Sequence, residues 1–121
     1  MTLKVLIVDD KIPFLDSAIR YLNLQTGIKL VGWALNGAEA LEKNKIYMPD
    51  LVLIDISLPD TSGLAIIQDM KNLNSQQKII VLTLYGNDEY EKGARQAGAD
   101  GFISKTNFVK EFPELLTQLF Q

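Results

Sequence analysis

The chain has 121 residues, which predicts a single domain over residues 1–121 with no room for a second. Hydrophobic residues make up 47%, and the formal charge is −3, from 15 acidic and 12 basic side chains; this argues against disorder and against a nucleic-acid surface, which needs clustered Lys and Arg. Cysteine and histidine are both absent, which excludes disulfides, thiolate or imidazole metal ligands, thiol catalysis and an imidazole phosphoryl donor on this chain. No apolar run approaches the roughly 20 residues that span a bilayer, and the N-terminus lacks the charged head and apolar stretch of a signal peptide. A cytoplasmic protein without membrane contact is the expectation.

In chain order, Leu3 to Val8 is a β-branched run that stops at Asp9-Asp10. After Pro13, the residues Leu15, Ala18, Ile19 and Leu22 fall at helical spacing, and Gly27 ends that segment. Ile28 to Ala34 reads as a second strand. Asn36 and Glu39 have the spacing of a capped helix start, and the helix is expected to run to about Tyr47, ahead of Pro49. Leu51 to Ile54 is a third strand ending on Asp55. A loop with Pro59, Ser62 and Gly63 leads to a helix near Leu64 to Leu73. Lys78 to Leu82 is a fourth strand, ending at Thr83. Tyr90, Gly93, Ala94 and Ala97 form another helical stripe, closed by Gly98. Gly101 to Ser104 is a short fifth strand ending at Lys105. Pro113 suits the first turn of a last helix through Phe120, and Phe112, preceding a proline, is expected outside it.

Alternating strands and helices, with strands almost wholly apolar, predict an α/β fold: a doubly wound five-stranded parallel sheet with five helices and right-handed crossovers. In such a sheet, ligands bind beyond the carboxyl ends of the strands, where strand order reverses. Those ends carry Asp9 and Asp10, then Asp55, Thr83 and Lys105. The second strand ends in Trp33-Ala34, which carry no useful chemistry. A flavodoxin-like order 2-1-3-4-5 puts that strand at an edge, too far away to reach the site.

Three carboxylates converging on one crevice repel each other unless a cation joins them. All-oxygen ligation without imidazole or thiolate points to Mg²⁺. Acids, a divalent metal, a lysine and a hydroxyl are the parts needed to hold a phosphoryl group while a carboxylate attacks phosphorus. Asp55, central in the sheet, is the natural nucleophile.

The sequence resembles the receiver domain of two-component response regulators over nearly its whole length. Val8-Asp9-Asp10 is similar to that family's acidic pair, and the segment from Asp55 through Pro59 to Gly63 to its phosphorylation loop. Val81-Leu82-Thr83 matches its hydroxyl position. The run from Gly98 to Lys105 matches the segment carrying its switch aromatic and lysine. The resemblance implies that Asp9, Asp10, Asp55 and the Ser57 main-chain carbonyl bind Mg²⁺, and that Asp55 forms an aspartyl-phosphate gripped by Thr83 and Lys105. It implies Phe102 as the aromatic that turns inward when Thr83 moves. The implied partners are a histidine kinase or phosphotransfer protein, and an output domain or partner at the face made by the fourth helix, fifth strand and last helix. It also admits a homodimer, with no direct nucleic-acid binding. The Gly98–Lys105 segment is similar to receivers that precede a C-terminal helix-turn-helix, a pointer to transcription regulation. Thr106 stands where many members have proline, and Leu84 where small residues are frequent.

Simpler readings exist. The Asp9-Asp10 pair suits a helix N-cap, Lys105 a solvated lysine, Phe102 a core aromatic, and Gly93 a packing requirement. A receiver-like binding module that is never phosphorylated would use the same fold, but it would be expected to lose one of these residues. An aspartyl-nucleophile hydrolase needs an acid two residues after Asp55, where Ser57 stands. A flavin domain needs a phosphate-cradling first loop, and Asp9-Asp10-Lys11 would repel phosphate.

Overall fold

The computed structural model describes residues 2–84 and 88–120. The elements are β1 (Leu3–Val8), α1 (Ile12–Asn23), β2 (Ile28–Ala34), α2 (Gly37–Tyr47), β3 (Leu51–Asp55), α3 (Gly63–Leu73), β4 (Lys78–Thr83), α4 (Asp88–Ala97), β5 (Gly101–Ser104) and α5 (Phe108–Leu119). A 3₁₀ turn, Lys105–Asn107, joins β5 to α5. The five strands are parallel and ordered β2-β1-β3-β4-β5, as the sequence predicts.

Because side chains alternate across a strand, each strand feeds two cores. Leu6, Val8, Val52, Ile54, Ile79 and Val81 pack under α2, α3 and α4 with Ile67, Met70 and Ala94. Val5, Ile7, Leu51, Leu53, Ile80, Leu82 and Ile103 pack under α1 and α5 with Leu15, Leu22, Phe108 and Phe112. Burial on both faces explains why these strands lack a polar stripe. β2, at the edge, is the exception, and Trp33 on it is 49% exposed.

Asn36 caps α2 as expected: its side chain accepts from the Glu39 N–H at 2.8 Å and donates to the Glu39 carboxylate at 2.9 Å. Two expectations fail. The residue that caps α1 is Lys11, through its backbone, so neither acid of the pair is the cap residue. Asp9 instead accepts from the Lys11 N–H at 2.8 Å.

The last helix also starts earlier than the proline suggests, at Phe108, and runs through Pro113 with Phe112 inside it. A proline in a helix interior costs about 3 kcal/mol. Helical spacing offsets this by burying Phe108 and Phe112 one turn apart, their rings stacked at 5.1 Å, and each fully buried Phe contributes about 1.5–3 kcal/mol. The Val109 carbonyl, which Pro113 deprives of a donor, belongs to an exposed residue that water reaches.

The segment between β3 and α3 is pinned twice. Gly63 donates to the Ile56 carbonyl at 2.7 Å, and a Cβ at Gly63 would stand 2.7 Å from both the Asp55 carbonyl oxygen and Ile56 Cα. Asp60 crosses to the start of α2, accepting from Gly37 N–H at 2.8 Å and Ala38 N–H at 3.0 Å. These bonds to free helix-terminal N–H groups hold the Asp60 carboxyl below its ordinary 3.8.

Two outcomes follow for this segment. Gly63→Ala should lower the melting temperature, since overpacking against fixed backbone costs about 1–3 kcal/mol; an unchanged melt would refute the close approach. For Asp60 the folded pKa is depressed, so its contribution is present above the unfolded value and lost as pH falls through the folded one. Asp60→Asn should therefore be less stable than the parent at neutral pH, with the gap closing below about pH 3.8; a gap independent of pH would show that the charge plays no part.

Candidate active site

The site forms where β1 and β3 lie side by side. Their register pairs Val8 with Ile54, so the residues one step further, Asp9 and Asp55, leave the sheet next to each other. Asp9, Asp10 and Asp55 each place a carboxylate oxygen within 4.8 Å of the others. At that separation two unit charges repel by about 3 kcal/mol for an effective dielectric near 20.

Two lysines offset this. Lys105 enters from beyond β5, its side chain only 4% exposed, and its ammonium lies 2.7 Å from Asp9 Oδ2 and 2.9 Å from Asp55 Oδ2. The Phe14 ring stands 5.0 Å from that ammonium. Lys11 reaches Asp10 Oδ1 at 2.7 Å, Asp55 Oδ2 at 3.0 Å and the Ser57 carbonyl at 2.7 Å. Asp55 Oδ1 accepts from the Ser57 N–H at 2.9 Å.

Burial drives the Asp9 carboxyl above its ordinary value, and Asp55's charge adds to this; the Lys105 contact and the Lys11 N–H only partly counter it. Burial also works against the Lys11 ammonium, but Asp10 and Asp55 outweigh it and raise its pKa.

The residues fit a divalent cation. Asp9 Oδ2 and Asp10 Oδ1 are shut off from solvent, and among the described residues no donor meets them with hydrogen-bond geometry, although ammoniums stand 2.7 Å away. Buried oxygens of this kind, with carboxylate and carbonyl donors only, suit a hard metal such as Mg²⁺.

An open cleft of about 280 Å³ lies against Asp55, lined also by Lys11, Ile56, Ser57, Thr83, Leu84, Tyr90 and Lys105. Thr83 thus reaches the site from β4. Leu84 is 51% exposed and stands in the wall without sealing it. Phe102 pairs in register with Val81, packs against the core beneath α4, and carries the Arg95 guanidinium 4.6 Å from its ring centroid. No cis peptide occurs among the described residues, and Thr106, in the 3₁₀ turn, shares a 2.8 Å hydrogen bond with Ser104. Gly93 faces Leu64 across the α3–α4 contact, and a Cβ placed there would meet it at an ordinary 3.5 Å, so packing does not require glycine at this position.

The structure therefore brings Asp9, Asp10, Asp55, Ser57, Thr83 and Lys105 to one place, with Phe102 one strand away. Sequence reading missed Lys11 as a member, along with Ile56 and Tyr90 in the cleft wall. The only sequence signal for Lys11 was its position directly after the acid pair.

Comparison with known proteins agrees. The response regulator receiver domain family matches residues 5–117. The chemotaxis protein CheY of Bacillus subtilis is 37% identical over 105 residues, covering 87% of each chain. A Pseudomonas aeruginosa protein named as a transcriptional regulator is 42% identical over 108 residues, covering 89% of this chain and 52% of its own. The chain spans about half the length of such regulators. A CheY-like receiver domain protein from Methanospirillum hungatei superposes with a TM-score of 0.82 at 27% identity, covering 98% of this chain and 97% of its own. No helix among the described residues is long and apolar enough to cross a membrane. Members of the family bind Mg²⁺ at an acidic pocket, interact with histidine kinases and output domains, and are signalling proteins rather than metabolic enzymes. With the fold, the acidic pocket and the sequence match in agreement, the chain belongs to the receiver domains of two-component response regulators.

Proposed function

We propose that Asp55 accepts a phosphoryl group from a phosphohistidine donor, and that the resulting aspartyl-phosphate shifts the domain between two conformations. The observation that carries this is the convergence of Asp9, Asp10 and Asp55 within 4.8 Å beside a cleft, with Lys105 bonded to Asp55 Oδ2. In the transfer, an Asp55 carboxylate oxygen bonds to phosphorus, the donor's P–N bond breaks, and its electron pair leaves with the imidazole.

Asp9, Asp10, Asp55 and the Ser57 carbonyl would hold Mg²⁺, which neutralises charge on the phosphoryl oxygens. Lys105 is placed to hold one of those oxygens after transfer, as it holds Asp55 now. Thr83 lines the same cleft and offers a hydroxyl to another.

Phosphorylation adds roughly 1.5–2 negative charges, and the pull on Thr83 is the start of the switch. Thr83 pairs in register with Ser104, next to Phe102. Movement of Thr83 is thus passed to Phe102 and its Arg95 neighbour, at the face made by α4, β5 and α5. That face is where an output domain, a second copy of the chain or another partner would read the state. The reading includes a cytoplasmic location and transcriptional output through a separate DNA-binding domain, the latter supported by the regulator-named relatives.

The test is incubation with acetyl phosphate, with and without Mg²⁺, followed by intact mass measurement of the parent and Asp55→Asn. One base-labile phosphoryl adduct that requires Mg²⁺ and is absent from the variant is expected. Lack of any adduct, with Mg²⁺ bound, would favour a receiver-like binding module that works without phosphorylation.

A further inference from the structure

Lys11 is left over once the phosphoacceptor roles are assigned. It caps α1 through its backbone, and its side chain takes no part in that task. The ammonium instead donates to Asp55 Oδ2 and the Ser57 carbonyl at 3.0 and 2.7 Å, and forms an ion pair with Asp10 Oδ1 at 2.7 Å. Asp10, Asp55 and the Ser57 carbonyl are three of the four groups that a divalent cation would use here. A lysine head is a compact point charge with three donors, so one ammonium hydrogen-bonds two of these groups and pairs by charge with the third.

The two lysines of the site differ in how they are held. Lys105 is 4% exposed, wedged between Asp9, Asp55 and the Phe14 ring. Lys11 is 41% exposed on a flexible stem, with solvent on its open side. One is built in; the other has somewhere to go.

We propose that the Lys11 ammonium is the resting cation of this site, seated where the divalent ion binds, and that the ion enters only by displacing it. The inference rests on the phosphoacceptor reading and adds a consequence to it. Asp55 Oδ2 accepts from both lysines in the resting state. Departure of Lys11 exchanges an ammonium contact on Asp55 for a metal contact. Metal arrival and release of Lys11 become one event, and the carboxylates stay compensated while metal is scarce.

Two measurements on the full chain test this. Calorimetric titration should show Lys11→Met binding Mg²⁺ roughly tenfold more tightly than the parent, about 1.4 kcal/mol. A lysine that merely makes the local potential less negative would also produce some gain on removal, so displacement needs its own readout. Acetylation by a water-soluble reagent, mapped by peptide mass, should find Lys11 protected without metal and labelled severalfold faster at saturating Mg²⁺, with Lys105 protected in both. Equal Mg²⁺ affinity in the two proteins, or Lys11 labelling unchanged by Mg²⁺, would overturn the proposal while leaving the phosphoacceptor reading intact. Absence of Mg²⁺ binding in both proteins, each folded by circular dichroism, would overturn the proposal and that reading together.

Discussion

Everything at the functional end of this domain depends on three carboxylates forced closer than their charges favour. Asp9 and Asp55 are adjacent because β1 and β3 are adjacent, and Asp10 follows in sequence. The sheet register is held by apolar burial on both faces, so the repulsion cannot relax by moving the strands. It is met by cations instead. Lys105 supplies a permanent one, and the oxygens of Asp9 and Asp10 that lack aligned donors leave the arrangement short of full satisfaction. A domain built to carry that deficit is built to gain from a metal ion.

The alternation of the strands then divides the labour. Asp9 and Asp55 continue the pleat that points toward α1 and α5, and Lys105 continues that of Ile103. Thr83 shares the parity of Val81, and Phe102 packs with that same core beneath α4. Chemistry therefore collects toward one face of the sheet and the responsive side chains toward the other. β4 and β5 are the connection between them, with Thr83 and Ser104 as paired neighbours. The loop from Ile56 to Gly63 is fixed at Gly63 and at Asp60, so the Asp55 backbone is a firm base while the side chains around it change partners.

Much of this was legible in the sequence, because strand ends are. An apolar run that stops at a polar residue marks both the element and the residue facing the crevice, and four such ends in order located Asp9, Asp55, Thr83 and Lys105. The failures share a cause: each turns on contacts between residues far apart in the chain or on the path of one flexible side chain. Pro113 signalled a helix start, but burial of Phe108 and Phe112 against α1 decided otherwise. The Asp60 bond to α2 spans 22 and 23 residues of sequence and leaves no local pattern. Lys11 was given no role because nothing in the order of residues tells where a four-carbon stem will point.

The account stands or falls on whether the acidic cluster is a cation site in the folded state. The most direct measurement is thermal unfolding of the parent and of Asp9→Asn across a Mg²⁺ series at neutral pH. A ligand that binds only the native state raises its melting temperature with concentration, so the parent's midpoint should climb with Mg²⁺ while that of Asp9→Asn stays nearly flat. A parent whose midpoint ignores Mg²⁺, or a variant that climbs in step with it, would contradict the account.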